Sequence, residues 1–315
     1  MKPTPFVLML VAGAFAMAQS PPPFEGTESD TFQISVNVEL VVLQASVRDR
    51  DGRTVPDLRA EDFEVLEDGT SQRVRLFRHE DTPVTVGLVI DHSRSMSDKL
   101  GDVIAAAQAF VKSSNPSDQM FVVNFNETVS SGLPRKTPFS DNANQLAAAI
   151  WGAPAIGMTA LNDAIIEALR RLEEGVSDKK VLVVISDGGD NASKANLDRV
   201  LKLTQQSNAV IYTIGVFSPD DPDQNPQVLR RLARESGGEA FFPGQLTDTV
   251  QICERIAHDI RNQYTIGYTS THEKRDGAYR KIRLNVQGNR KVTVRTRAGY
   301  RTDAGSTPGK NAARK

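Results

Sequence analysis

Residues 84 to 261 alternate short apolar runs with longer segments in which apolar side chains recur at helical spacing. The run Val181–Ile185 is apolar at every position, as in strands that are buried on both faces. Leu161, Ile165 and Leu169 recur every four residues and predict a helix. Repeated strand and helix units of this kind predict an α/β fold with a doubly wound, mostly parallel sheet.

In such sheets, ligands bind beyond the carboxyl ends of the strands, at the point where the strand order reverses. The apolar run from Val84 to Ile90 predicts the first strand of the sheet. We expect this strand and Val181–Ile185 to flank the reversal point. A polar motif follows each of them directly: Asp91-His92-Ser93-Arg94-Ser95 after the first, and Ser186-Asp187-Gly188 after the second.

Five oxygen-bearing side chains are predicted to converge at this edge of the sheet. They come from these two motifs and from the segment Gly157-Met158-Thr159, and they are Asp91, Ser93, Ser95, Thr159 and Asp187. Mg²⁺ prefers near-octahedral oxygen coordination and is usually held by one or two carboxylates, with some waters retained. Mn²⁺ suits the same ligands. The sequence therefore predicts a Mg²⁺ or Mn²⁺ site with an open position for an acidic group of another molecule.

These residues resemble the metal-ion-dependent adhesion site of von Willebrand factor A-type (VWFA) domains, whose pattern is D-x-S-x-S, then a Thr, then an Asp after an apolar strand. The resemblance extends over residues 82–262 and implies the Rossmann-like fold of that family. It also implies a protein partner that presents an Asp or Glu carboxylate. One position departs from the pattern, because Arg94 stands where the family often has Gly. A cation at this position is expected to narrow the ligand surface or to favour anionic partners.

Two β-rich segments flank the α/β region, at residues 32–81 and 263–302. Turn signals such as Asp51-Gly52 and Gln287-Gly288 separate their predicted strands. Neither segment has enough strands for a core of its own, so we expect them to pair into one small, discontinuous β-sandwich into which the α/β domain is inserted. Motifs in both flanks, including Asp62-Phe63-Glu64-Val65 and Arg297-Ala298-Gly299-Tyr300, resemble a VWFA-related family of exported acidobacterial proteins.

The N-terminus predicts export. Lys2 precedes the apolar run from Phe6 to Ala18, which ends in the small-x-small pattern Ala16-Met17-Ala18. Residues 1–18 are therefore interpreted as a signal peptide cleaved after Ala18, residues 19–31 as a linker and residues 303–315 as a disordered tail. An uncleaved membrane anchor is the alternative. We expect a secreted or periplasmic protein of the bacterial envelope. The net charge of −1 favours neither nucleic-acid nor membrane binding.

Three functions are compatible with a metal site of this kind. The leading hypothesis is a binding module for adhesion or envelope assembly, the second is a Mg²⁺-dependent hydrolase, and the third is a structural protein that the metal stabilises. A hydrolase has only His92 near the metal as a candidate base, and we interpret His92 instead as a surface contact.

Cys253, the single cysteine, falls on the apolar face of a predicted helix and is expected to be buried. Four cationic residues near the C-terminus could form an anion-binding patch, but we interpret them as a solvated or edge-protecting strand face: Arg290, Lys291, Arg295 and Arg297.

Overall fold

A computed structural model describes residues 40–217, 222–272, 276–288 and 291–302. The predicted signal peptide, linker and C-terminal tail lie outside these residues, and their assignment stays a prediction. Within the described ranges, no helix is both long and apolar enough to cross a membrane.

Before the α/β region, the residues that the structure describes, from Leu40 onward, form four strands. They are β1 (Leu40–Arg48), β2 (Phe63–Glu67), β3 (Thr70–Gln72) and β4 (Val74–Arg78). The turn between β2 and β3 places Asp68 and Gly69 at positive φ, which explains the Asp-Gly pair at this position.

The described residues of the α/β region form six strands and six α-helices. The strands are β5 (Val84–Asp91), β6 (Gln119–Phe125), β7 (Val129–Ser131), β8 (Lys179–Ser186), β9 (Val210–Gly215) and β10 (Ala240–Phe241). The helices are α1 (Leu100–Ser113), α2 (Ala143–Trp151), α3 (Leu161–Leu172), α4 (Leu197–Gln206), α5 (Pro226–Ser236) and α6 (Asp248–Arg261).

These six strands form one sheet in the order β10-β9-β8-β5-β6-β7, in which only β7 runs antiparallel to its neighbour. All eight residues of β5 are buried, as expected for a central strand covered by helices on both faces. The chain passes from β5 to β6 on one side and returns to β8 on the other, so the strand order reverses between β5 and β8. The prediction of a doubly wound, mostly parallel sheet is confirmed, and the reversal point lies between the two predicted strands.

Three of the α-helices, α2, α4 and α5, begin at an asparagine that caps the first turn. Asn142, Asn196 and Asn225 each accept hydrogen bonds from backbone N–H groups in the first turn of α2, α4 and α5. Gly237 ends α5 in the left-handed conformation, with φ +87°. On α6, the side chain of Cys253 is fully buried, as predicted, and burial raises the pKa of its thiol to about 12.

After α6 the chain forms four more strands. They are β11 (Tyr264–Thr269), β12 (Tyr279–Val286), β13 (Thr293–Arg295) and β14 (Gly299–Arg301). They combine with the first four strands into two antiparallel sheets, ordered β13-β1-β11-β4 and β14-β12-β2-β3. Leu43, Phe63, Val65, Tyr264 and Leu284 belong to one buried cluster that draws on both sheets. The flanking segments therefore share a core. The domain limits 32–81, 82–262 and 263–302 stay a prediction.

A buried charge network connects α6 with the flanking strands. Asp259 of α6 accepts hydrogen bonds from Tyr212 of β9, Arg48 of β1 and Arg295 of β13, at 2.5, 3.0 and 2.5 Å. Arg297 is also buried, and its guanidinium donates to the backbone carbonyls of Gln205 and Gly299. The interpretation of Arg295 and Arg297 as a solvated strand face is therefore wrong, because both guanidinium groups are buried or ion-paired where the flanking strands meet the α/β region.

Candidate functional site

The candidate site lies where β5 and β8 end side by side. Asp91 is the last residue of β5, and Ser186 is the last residue of β8. One Asp91 carboxylate oxygen accepts a hydrogen bond from the Ser186 hydroxyl at 2.6 Å, and the other accepts from the Ser93 backbone N–H at 2.8 Å. Both oxygens of this fully buried carboxylate are thus held in place by neighbouring polar groups.

Asp187 completes a pair of buried carboxylates at the same edge. The Ser95 hydroxyl donates to one of its carboxylate oxygens at 2.5 Å, and the Gly189 backbone N–H donates to the other at 2.9 Å. The hydroxyls of Ser93 and Ser95 are 3.1 Å apart. Four of the five predicted ligands, Asp91, Ser93, Ser95 and Asp187, therefore lie in one small polar cluster.

Thr159, the fifth predicted ligand, lies on the loop that connects α2 and α3 and is largely buried. Its backbone N–H donates to the Asn191 side chain at 2.8 Å. Its carbonyl oxygen accepts from the backbone N–H groups of Asn191 and Ala192, both at 3.0 Å. The loop that carries Thr159 is thereby attached to the loop that follows Asp187.

The electrostatics of the cluster fit a cation. Burial, reinforced by the negative charge of Asp187, raises the pKa of Asp91 to about 6, although hydrogen bonds from Ser186 and Ser93 oppose the change. Two carboxylates buried side by side are costly as anions unless a positive charge neutralises them.

The donor set indicates which cation fits. Within the described ranges, no group of three or more His, Cys, Asp or Glu side chains converges in a way that could hold a metal. The cluster instead combines two carboxylates with hydroxyl groups, and such oxygen ligands suit Mg²⁺ and Mn²⁺ better than metals that prefer thiolate or imidazole.

The loop after β8 has a shape that only glycine allows. Gly188 has φ +82°, and a Cβ atom at this position would lie 2.4 Å from the Asn225 carbonyl oxygen. The Asn225 backbone N–H donates to the Asp187 carbonyl at 2.9 Å. Asn225 also caps α5, so this helix fixes the path of the loop that carries Asp187.

His92 is not a surface contact, which corrects the sequence interpretation. The residue is fully buried, its backbone N–H donates to Phe125 O, and its carbonyl accepts from Ile156 N–H. Burial lowers the pKa of the imidazole and favours the neutral form. The ring therefore offers no exposed surface to a ligand.

The exposed rim of the site has both a charged and an apolar part. Arg94 is exposed, and its backbone N–H donates to Gly157 O at 3.2 Å. On the loop that carries Thr159, Ile156 and Met158 are 56% and 51% exposed. The loops that carry the predicted ligands therefore also carry one exposed guanidinium and two exposed apolar side chains.

Two of three comparisons relate the chain to known proteins. A family model described as the von Willebrand factor type A domain matches residues 85–255. A solved structure of a von Willebrand factor type A protein from Catenulispora acidiphila aligns with a TM-score of 0.51 at 13% sequence identity, over 85% of this chain and 74% of that chain. Proximal thread matrix protein 1 from the mussel byssus aligns with a TM-score of 0.50 at 17% identity, over 62% of this chain and 51% of that chain. A search of curated protein sequences gave no match.

Proposed function

The chain belongs to the von Willebrand factor type A family, and we propose that it is a metal-dependent protein-binding module. In this proposal, Mg²⁺ or Mn²⁺ is held by Asp91, Ser93, Ser95, Thr159 and Asp187. When bound, the metal would supply an open coordination position to an Asp or Glu carboxylate of a partner protein.

The observation that carries the proposal is the pair of buried carboxylates at the ends of β5 and β8. Ser186 and the Ser93 backbone orient Asp91, and Ser95 orients Asp187. Carboxylates that are fixed in this way lose little conformational entropy when a cation binds. With only two carboxylates among neutral hydroxyl groups, a divalent ion retains attraction for a further anion.

The exposed rim suggests the chemistry of the partner. Ile156 and Met158 offer apolar surface beside the proposed metal, and Arg94 offers a guanidinium. A partner segment in which an acidic residue is flanked by an apolar side chain matches this combination. Burial of apolar surface would add affinity at about 25 cal/mol per Å² before the costs of association.

We further propose that this protein acts in binding and not in catalysis. His92 was the candidate general base, but its burial separates it from water and ligand. Phosphatase and peptidase assays with Mg²⁺, with Asp91→Ala as the control, test this point. Turnover that the substitution abolishes would contradict it. A secreted or periplasmic location is part of the proposal, and its support is the N-terminal sequence alone.

Isothermal titration calorimetry of Mg²⁺ and Mn²⁺ on the full chain tests the metal site. Asp91→Ala and Thr159→Ala should abolish or strongly weaken binding, while Ser97→Ala, an exposed hydroxyl close to the motif, should bind as the wild type does. No binding by the wild type at millimolar metal would contradict the proposal. Metal-dependent melting without any metal-dependent partner binding would point to the structural role instead.

A further inference from the structure

A cleft lies between α5 and strands β12 and β13. None of the five proposed metal ligands lines it. Its volume is about 750 Å³. One wall is formed by α5, including Arg230, Arg231 and Arg234, and the other by residues of the flanking sheets, including Arg283. The cleft is therefore bounded by the α/β region on one side and by the flanking strands on the other.

The cleft carries excess positive charge. Six arginines line it, and Glu239 is the single acidic residue among the described residues around it. That carboxylate is already engaged, because it pairs with Arg295, Arg48 and Arg255. Arg295 and Arg297 also have partners of their own inside the protein.

Four arginines of the cleft are exposed to solvent: Arg230, Arg231, Arg234 and Arg283. Arg230 lies over the Phe242 ring, 4.1 Å from its centre, and Arg234 has a distant contact of 3.9 Å with Glu235. Across the ranges that the structure describes, neither Arg231 nor Arg283 has a carboxylate within ion-pair distance. Their charges are therefore available to an anionic ligand.

Part of the cleft lining is apolar, and we call this part the floor. Some of its residues belong to strands at the edges of their sheets. Ala240 of β10, Val294 of β13, and Ile282 and Leu284 of β12 contribute to the lining. Both β10 and β13 are terminal strands of their sheets. A terminal strand has backbone groups on its outer side that can pair with an added, extended segment.

We propose that this cleft binds an extended acidic segment of a partner protein, in which acidic residues alternate with apolar ones. The acidic side chains would pair with Arg231 and Arg283, and the apolar ones would lie on the floor. A polyphosphate or another uniformly charged polymer would use the arginines but leave the apolar floor unfilled. The combination of charge, apolar floor and strand edges therefore favours a peptide. This binding requires no metal, so it stands independently of the function proposed above.

Fluorescence anisotropy with a labelled ten-residue peptide of alternating Glu and Val tests the proposal. The full chain is used at low salt with EDTA, which removes any contribution of the metal site. The double variant Arg231→Gln/Arg283→Gln should weaken binding at least tenfold. The double variant Arg135→Gln/Arg199→Gln removes the same charge from exposed positions outside the cleft and should bind as the wild type does.

Two further probes decide the class of ligand. A peptide of alternating Lys and Val should not bind, and inorganic polyphosphate should bind more weakly than the acidic peptide at equal charge. The proposal is overturned if the Arg231→Gln/Arg283→Gln variant binds the acidic peptide as strongly as the wild type does. It is also overturned if both double variants weaken binding equally, or if polyphosphate binds and the peptide does not.

Discussion

Ser186 makes two hydrogen bonds that bear directly on the candidate metal site. Its hydroxyl donates to Asp91 at 2.6 Å and accepts from the Gly188 backbone N–H at 3.0 Å. Ser186→Ala should therefore weaken Mg²⁺ binding, although Ser186 is not a proposed ligand, and should lower the free energy of unfolding by about 1 to 2 kcal/mol.

Calorimetry and urea unfolding of the same Ser186→Ala sample check this expectation. Ser186→Thr keeps a hydroxyl and should recover part of the metal affinity. If Ser186→Ala loses stability but binds Mg²⁺ as the wild type does, Ser186 has no role in orienting Asp91.

Gly188 should be intolerant of any side chain. Gly188→Ala would strain the backbone at φ +82° and place its methyl group 2.4 Å from the Asn225 carbonyl oxygen. We expect a loss of about 2 to 3 kcal/mol in stability. Gly244→Ala is the control, because a Cβ at that position meets no atom within 4 Å, and its stability should change little. Thermal unfolding of the two variants makes the comparison, and equal effects would contradict the strain argument.

At the scale of single residues, the sequence predicted which side chains form the candidate site. It did not predict every residue that holds those side chains in place. The spacing of Asp91, Ser93, Ser95 and Asp187 relative to apolar strands was sufficient to bring them to one edge. Asn191 and Asn225 were missed, because their roles depend on where loops meet after folding. His92 was misplaced, because a position inside a polar loop motif predicts an exposed side chain, whereas its ring is fully buried.

Among the secondary-structure elements, α6 has the clearest electrostatic role. Burial alone would raise the pKa of Asp259, but Arg295, Tyr212 and Arg48 together hold it below its usual value of about 4. A carboxyl with a lowered pKa contributes stability above the pKa of the unfolded chain, and this stability is lost as the pH falls through the folded pKa.

Asp259→Asn should therefore destabilise the protein by about 3 kcal/mol near pH 7, because two partly buried guanidinium groups, Arg48 and Arg295, are left with the carboxylate of Glu239 alone between them. The difference from the wild type should shrink as the pH falls below about 4. Urea unfolding between pH 3 and 7 measures this, with Asp141→Asn as an exposed control. A difference that does not change with pH would exclude an ionised Asp259 as its cause.

The sequence predicted long elements better than short ones. The helix predicted from Leu161, Ile165 and Leu169 is α3, and the apolar runs Val84–Ile90 and Val181–Ile185 are the buried parallel strands β5 and β8. The strands β3, β7 and β14 were missed. Their sequences, Thr-Ser-Gln, Val-Ser-Ser and Gly-Tyr-Arg, are three residues long and have no apolar alternation. Pairing with a neighbouring strand, and not local pattern, makes them strands.

Across the whole molecule, two apolar clusters are joined by polar side chains. One cluster fills the α/β region and the other lies between the flanking sheets. Arg295 and Arg48 connect them through Asp259, and Arg297 and Arg301 bind Gln205 of α4. We expect these connections to make unfolding a single transition.

Circular dichroism tests this expectation, because its near-ultraviolet and far-ultraviolet signals come chiefly from different regions of the protein. Four of the five tyrosines, Tyr264, Tyr268, Tyr279 and Tyr300, lie in the C-terminal flank. The measurement uses the Trp151→Phe variant, which removes the tryptophan signal of α2, so that the tyrosine signal reports chiefly on the flanking sheets. Far-ultraviolet signals report chiefly on the six helices. The two melting curves should coincide, and midpoints several degrees apart would show that the regions unfold separately.

The pairing of β4 with β11 has an evolutionary consequence. Arg78, before the α/β region, is the antiparallel partner of Thr265, after it. The chain therefore leaves the flanking sheet and returns to it at adjacent points, about 5 Å apart. A scaffold with neighbouring exit and entry points accepts an insert of any length whose own ends are close together. A related insert could therefore replace this one only if it kept a counter-charge for Arg48 and Arg295, which pair with Asp259 of α6.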